Sequence, residues 1–203
     1  MAEVQAIKDD DTIRLVGHLL SIRCHPQMAD VWHIGLNLAL RISDLLSIRF
    51  EDIHDDRLII RESKTGKLAN IQLNTKAQQH IARLREQHPD HIYLFQSHRC
   101  QQLKNKPPQP ITRRAVSMAF QQVGQELNIA LGTHSMRKTR GYFLYQSTKD
   151  IARVMKMLRH TSEGVTLRYI GITQDEVDKD FLLLNFNPGH LVRGAGPPIP
   201  YSI

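Results

Sequence analysis

"THSMRKTRGYFLYQSTKDIARVMKMLRHTSEGVTLRYIGI", residues 133–172, decides how this chain is read. Its apolar residues recur at helical intervals, so the stretch predicts two or three short helices. Yet among them stand His134, Arg137, His160 and Tyr169, groups better suited to a phosphate than to a solvated helix face. His134 and Arg137 are three apart at a helix start and so share a face. His160 ends "IARVMKMLRH", and Tyr169 lies nine residues further on, beyond a helix able to return its hydroxyl to the same surface.

Working outward, "DDDTIRLVGHLLSIR" places Ile13, Val16, Leu19 and Leu20 at helical spacing behind acidic caps and predicts a first helix over about 11–23. After Pro26, "MADVWHIGLNLAL" is apolar on all sides and reads as a buried helix. "RISDLLSIRFEDI" then offers Ser43 or Asp44 to start a short further helix. The period changes in "RLIIRESKTGKLANIQLN", which predicts a β-hairpin with Leu58 and Ile60 on one side, Thr65 and Gly66 at the tip, and Ile71 and Leu73 beyond it. Thr75 is positioned to cap the next helix, and "IYLF" (92–95) reads as a third short strand. Residues 97–111 form a polar, proline-rich loop, after which Thr112 caps "TRRAVSMAFQQVGQELN". A last amphipathic helix is expected over 174–186. The fold class expected is mainly α with a small antiparallel β-sheet (α+β), with 1–186 as a single domain and 187–203 as a flexible Pro/Gly-rich tail.

Lys and Arg number 27 against 20 Asp and Glu, a formal charge of +7, as expected of a protein that meets polyanions. Nucleic acid leads the partner classes. Cys24 and Cys100 have no paired spacing, which argues against a disulfide framework or a cysteine zinc site. No apolar run approaches the roughly 20 residues of a membrane helix, and the N-terminus lacks a signal-peptide layout. A cytoplasmic protein with no membrane partner is expected.

Arg41 follows the apolar run ending "NLAL" and precedes the apolar face of "ISDLLSI", a poor place for a merely solvated charge. Two arginines can clamp the nonbridging oxygens of a phosphate with planar hydrogen bonds and stabilise charge developing at phosphorus. A tyrosine hydroxyl can attack phosphorus covalently, given a neighbouring base or cationic field to offset its ordinary pKa of about 10. A hairpin lysine can protonate the leaving 5′ oxygen. Each residue also has an ordinary structural role open to it. Arg41 could pair with Asp44 or Glu51, Lys64 and its rival Lys67 could be solvated turn charges, and His134 and His160 could terminate helices. Tyr142 and Tyr145 are better placed for packing than for attack.

"LALRISDLLSIRFEDI", "SKTGK", "HSMR" and "LRHTSEGVTLRY" resemble, in order and spacing, the signature boxes of the tyrosine recombinases, or phage integrase family, over roughly residues 11–186. The resemblance implies Arg41 and Arg137 as phosphate-clamping arginines, Lys64 as general acid, His134 and His160 as the two histidines, and Tyr169 as nucleophile. It implies site-specific recombination of double-stranded DNA through a 3′-phosphotyrosine link and a Holliday junction. It also implies a homo-oligomer, a tetramer on two DNA sites with the 174–186 helix as a protomer contact, and location at the nucleoid. No cofactor and no metal are implied, because the phosphotyrosine conserves the bond energy. Backbone phosphate contacts are expected from Lys67, Arg99, Lys104, Lys106, Arg113, Arg114, Lys138 and Arg159. Two positions depart from the pattern: Arg159 stands where glycine commonly precedes the second histidine, and Ala39 where glycine is frequent two before the first arginine. The family's usual N-terminal DNA-clamping domain is unmatched, which fits a minimal recombinase or a fragment. Alternatives from other classes are a DNA-binding regulator that keeps the fold without recombining, and a type IB topoisomerase.

Overall fold

A computed structural model describes residues 4–98, 107–172, 178 and 182. The chain divides into two units, Met1–Gly171 and Ile172–Ile203, and every element named here lies in the first. Arg99, Lys104, Lys106, the tail over 187–203 and the 174–186 segment, apart from Asp178 and Leu182, lie outside the described residues.

Helix α1 (Asp10–Leu19) starts where the Asp9 carboxylate accepts the Thr12 N–H, and it runs on into a π turn over Leu20–Cys24. Pro26 is the first residue of α2 (Pro26–Leu38) rather than only a separator, because its missing N–H is not needed in a first turn. Val31, Trp32 and Ile34 of α2 are wholly buried. The Trp32 indole N–H is satisfied by the Ile13 carbonyl at 3.1 Å, and its ring meets Phe120 edge-on at 5.6 Å.

Short helix α3 (Ile42–Ser47) follows, but neither Ser43 nor Asp44 caps it; Arg41 holds the cap position without a side-chain bond. Asp44 is buried and spends Oδ1 on the hairpin instead, accepting the Ser63 N–H at 2.9 Å and the Ser63 hydroxyl at 2.6 Å.

The sheet is antiparallel in the order β1 (Ile53–His54), β2 (Arg57–Arg61), β3 (Leu68–Gln72), with Leu58 opposite Ile71 and Ile60 opposite Ala69. Gly66 takes the positive φ of the turn, +65°, as a hairpin tip requires. The third strand is therefore β1 and not 92–95. Tyr93 makes only an isolated bridge to Arg49, while Leu94 and Phe95 are buried core side chains. A continuous apolar run signals burial, and burial alone does not make a strand.

Helix α4 (Thr75–Gln87) is capped by Asn74, whose side chain accepts the Ala77 N–H at 2.9 Å, so Thr75 is its first residue. Thr112 caps α5 (Arg113–Glu126) as expected. The opening stretch forms three helices, α6 (Ser135–Thr148), α7 (Ile151–Leu158) and α8 (Glu163–Ile170), the last two capped by Asp150 and Ser162. Gly141 lets them close. A Cβ there would lie 2.7 Å from Ile170 Cγ2 and 3.1 Å from Leu158 Cδ1. With Leu158 and Ile170 wholly buried, their chain neighbours His160 and Tyr169 come to the end of α6 that carries Arg137.

Candidate active site

Arg41, Lys64, His134, Arg137, His160 and Tyr169 line one cavity of about 340 Å³, together with Arg159. The elements deliver them in different ways. Helix α2 ends abruptly because Ala39 adopts a left-handed conformation, φ 53° and ψ 26°. That costs a non-glycine residue on the order of 1 kcal/mol and is the reason glycine suits the position. The turn releases Arg41 from the buried segment, its side chain 20% exposed, toward the cavity.

Arg137, 3% exposed in the first turn of α6, donates to the carbonyls of Ala39 and Leu158. One guanidinium thus joins the end of α2 to the end of α7. Two of its five N–H donors are held by protein carbonyls, and its guanidinium also hydrogen-bonds the Tyr169 side chain.

The Tyr169 hydroxyl lies 3.1 Å from His134 Nδ1. His160 stands edge-on to the same ring at 4.9 Å, and the Lys138 ammonium lies 5.1 Å from the ring centroid. Burial pushes the Tyr169 pKa up, against the opposing charges of Arg137 and Arg41. Partial burial pulls His134 down, helped by Arg113, Arg137, Lys138 and Arg41. The phenol is therefore protonated and the imidazole neutral near pH 7, so the histidine can accept the phenolic proton.

His160 is lowered in the same way, by burial and then by Arg137 and Arg41. Its Nδ1 is 3.2 Å from the hydroxyl of buried Thr166, which donates to the Ser162 carbonyl at 2.7 Å. With that hydroxyl proton committed, Nδ1 must carry the hydrogen shared with Thr166, which leaves Nε2 as the nitrogen available to a ligand.

Arg41 pairs with neither Asp44 nor Glu51. Its carboxylate neighbour is Glu62, at 3.4 Å, while Glu51 pairs with Arg49. Glu62 is 2% exposed and lies closer to Arg159, with which it makes an ion pair at 2.7 Å. Burial works to raise its pKa, but the Thr65 hydroxyl, Arg159 and Arg41 together hold it below the usual carboxylate range. Sequence reading missed both Glu62 and Thr166. Glu62 had a signal: one residue past the end of β2 it continues the inward alternation of Leu58 and Ile60, where a carboxylate needs a cation.

Lys64, Lys67, Arg113 and Arg114 are exposed. Lys138 is 6% exposed and lies beneath Tyr169 rather than on the outer surface, and Arg159 is drawn into its ion pair. Tyr142 and Tyr145 are partly buried along α6 and do not line the cavity. Among the described residues, no group of three or more His, Cys, Asp or Glu is arranged to hold a metal ion, and no helix is long and apolar enough to cross a membrane.

The sequence profile of the Phage integrase family matches residues 19–176. A curated protein of Bacillus subtilis (strain 168), "Probable integrase/recombinase YoeC", is 37% identical over 143 residues, covering 70% of this chain and 75% of the relative. The crystal structure of a lambda integrase(75-356) dimer bound to a COC' core site superposes with a TM-score of 0.63 at 17% identity, over 84% of this chain and 61% of that one. XerA recombinase superposes with a TM-score of 0.67 at 14% identity, over 89% of this chain and 66% of that one. The chain thus spans less than two thirds of either solved chain, and at these identities the likeness is one of fold.

Proposed function

The chain belongs to the phage integrase family, and from that premise we propose that it is a site-specific DNA recombinase that cuts and rejoins strands through a 3′-phosphotyrosine intermediate. The observation that carries the reading is the convergence of Arg41, Lys64, His134, Arg137, His160 and Tyr169 on one cavity, with the Tyr169 hydroxyl 3.1 Å from a histidine nitrogen.

Arg41 and Arg137 hold the nonbridging oxygens of the scissile phosphate, and His160 adds a hydrogen bond through Nε2. That bond requires the imidazolium, because Nδ1–H is spent on Thr166; the incoming phosphate favours the proton that the two arginines disfavour in the DNA-free site. Tyr169 attacks phosphorus as His134 takes its proton. The bond to O5′ breaks, and Lys64 protonates the departing oxygen. The ester energy stays in the Tyr169–phosphate link, and the 5′ hydroxyl of a partner strand reverses the step. One exchange of strands gives a Holliday junction and a second resolves it, so four protomers on two sites are required. Residues 1–186 serve as the catalytic domain, and the 174–186 segment serves as the protomer contact. Exposed Lys67, Arg113 and Arg114 contact the DNA backbone.

The test is covalent capture. Incubating the protein with a library of random duplexes, quenching in SDS and recovering protein-linked DNA should yield fragments sharing one sequence, none of them with Tyr169→Phe. Sequence-specific binding without linkage would instead indicate a regulator, and plasmid relaxation without site preference a topoisomerase.

A further inference from the structure

We propose that Glu62 and Arg159 form a clasp that positions Lys64 for protonation of the leaving oxygen. This inference rests on the recombinase reading above. Arg159 caps α7 at φ 52° and ψ 46°, a left-handed conformation that glycine adopts without strain. Its guanidinium reaches across to the hairpin and meets the buried Glu62 carboxylate at 2.7 Å.

The clasp fixes Lys64 from both sides. Glu62 closes the hairpin with its own backbone, donating to the Lys67 carbonyl at 3.0 Å and accepting the Gly66 N–H at 2.9 Å. Its Oε2 accepts the Thr65 hydroxyl at 2.8 Å. On the other flank, Ser63 is bound through N–H and hydroxyl to buried Asp44. Lys64 therefore sits between two residues anchored on buried carboxylates, and the Glu62 anchor is tied by Arg159 to the loop that carries His160. The lysine ammonium and the second histidine are thereby coupled through one ion pair. Glu62 is closer to Arg159 than to Arg41, at 2.7 Å against 3.4 Å, so Arg159 neutralises the carboxylate and leaves Arg41 to the phosphate. Arg159 is a positioning residue in this account and does not itself touch the substrate.

A leaving-group substitution separates this role from phosphate binding. In a duplex whose scissile position carries a 5′-bridging phosphorothiolate, the Tyr169–P bond forms as P–S breaks. The thiolate, with a pKa of about 8.5, departs without a proton. The probe is the duplex sequence recovered by covalent capture, made with oxygen or with sulfur at that position. Arg159→Gly suits the local backbone, and Glu62→Gln keeps an acceptor for Thr65, so both variants should fold.

Each should cleave the oxygen substrate about 10- to 100-fold more slowly than wild type, part of the 10²- to 10⁴-fold that a positioned acid contributes. Each should come back to within about threefold of wild type on the sulfur substrate. The double variant should be no slower than the worse single, and Lys64→Ala should show the same pattern with a larger loss. Equal losses on both substrates would overturn the clasp and make Arg159 a phosphate ligand, and wild-type rates on oxygen would overturn it outright. Failure of the wild-type protein to capture any duplex in the first place would sink the recombinase reading and the clasp with it.

Discussion

Replacing Thr166 with valine removes one hydroxyl and almost no volume from a side chain that is wholly buried in α8. The hydroxyl makes two bonds, to His160 Nδ1 at 3.2 Å and to the Ser162 carbonyl at 2.7 Å. The carbonyl keeps the Thr166 N–H at 3.1 Å, so it is not orphaned. At about 1 kcal/mol net per lost bond, the stability cost is roughly 1–2 kcal/mol, readable as a shift in the urea midpoint. The functional cost has a different origin. Without the hydroxyl, the His160 ring orientation is no longer fixed, and the imidazolium that the phosphate favours no longer has its Nε2–H held toward the phosphate. Losing about 1.4 kcal/mol of that organisation slows covalent-complex formation about tenfold. Thr166→Ser restores the hydroxyl while deleting a buried methyl, so it should lose about 1 kcal/mol of stability yet cleave at close to the wild-type rate. SDS-gel kinetics and urea unfolding on the three proteins provide the comparison. A valine variant that cleaves at the wild-type rate, or a serine variant as slow as the valine one, would refute the orienting role.

At Gly35, where α2 crosses α6, an added Cβ would stand 2.2 Å from Met136 Sδ and 3.0 Å from Leu45 Cδ2. Gly35→Ala should therefore cost about 1–3 kcal/mol in chemical denaturation despite the better helix propensity of alanine. His33, stacked on His80 at 5.1 Å, has its pKa pushed down to about 4 by burial, by His80 and by Arg83. The folded value lies below the unfolded value of about 6.5, so the unfolded chain takes up the proton first and stability falls as pH drops from about 6.5 toward 4. His33→Gln should flatten that part of the stability–pH curve measured by urea unfolding; an unchanged slope would assign it to other groups.

How much of this was legible in the sequence differs from element to element. Thr112, Gly66 and the apolar faces of α1 and α2 act through their immediate neighbours, and local chemistry sufficed to place them. The six candidate site residues were legible for another reason: their types and order together are restrictive, although the distance between Tyr169 and His134 was not derivable from either. Asn74 and Thr75 are both competent caps, and only the backbone entering α4 decides between them. Asp44 looked like a cap because its role depends on Ser63, which is nineteen residues away. β1 is two residues long and carries no periodicity to read. Arg159 was visible as a departure from a glycine, but its meaning lay in a left-handed φ and in Glu62 on another element, which a linear reading does not bring together.

The most direct test of the central claim is to identify the residue that becomes linked to DNA. Covalent complexes formed on the captured duplex would be digested with nuclease and trypsin, and the tyrosine bearing the 3′-nucleotide located by tandem mass spectrometry. The account predicts the adduct on Tyr169 alone. An adduct on Tyr142, Tyr145 or any other residue would contradict the geometry from which the mechanism is built.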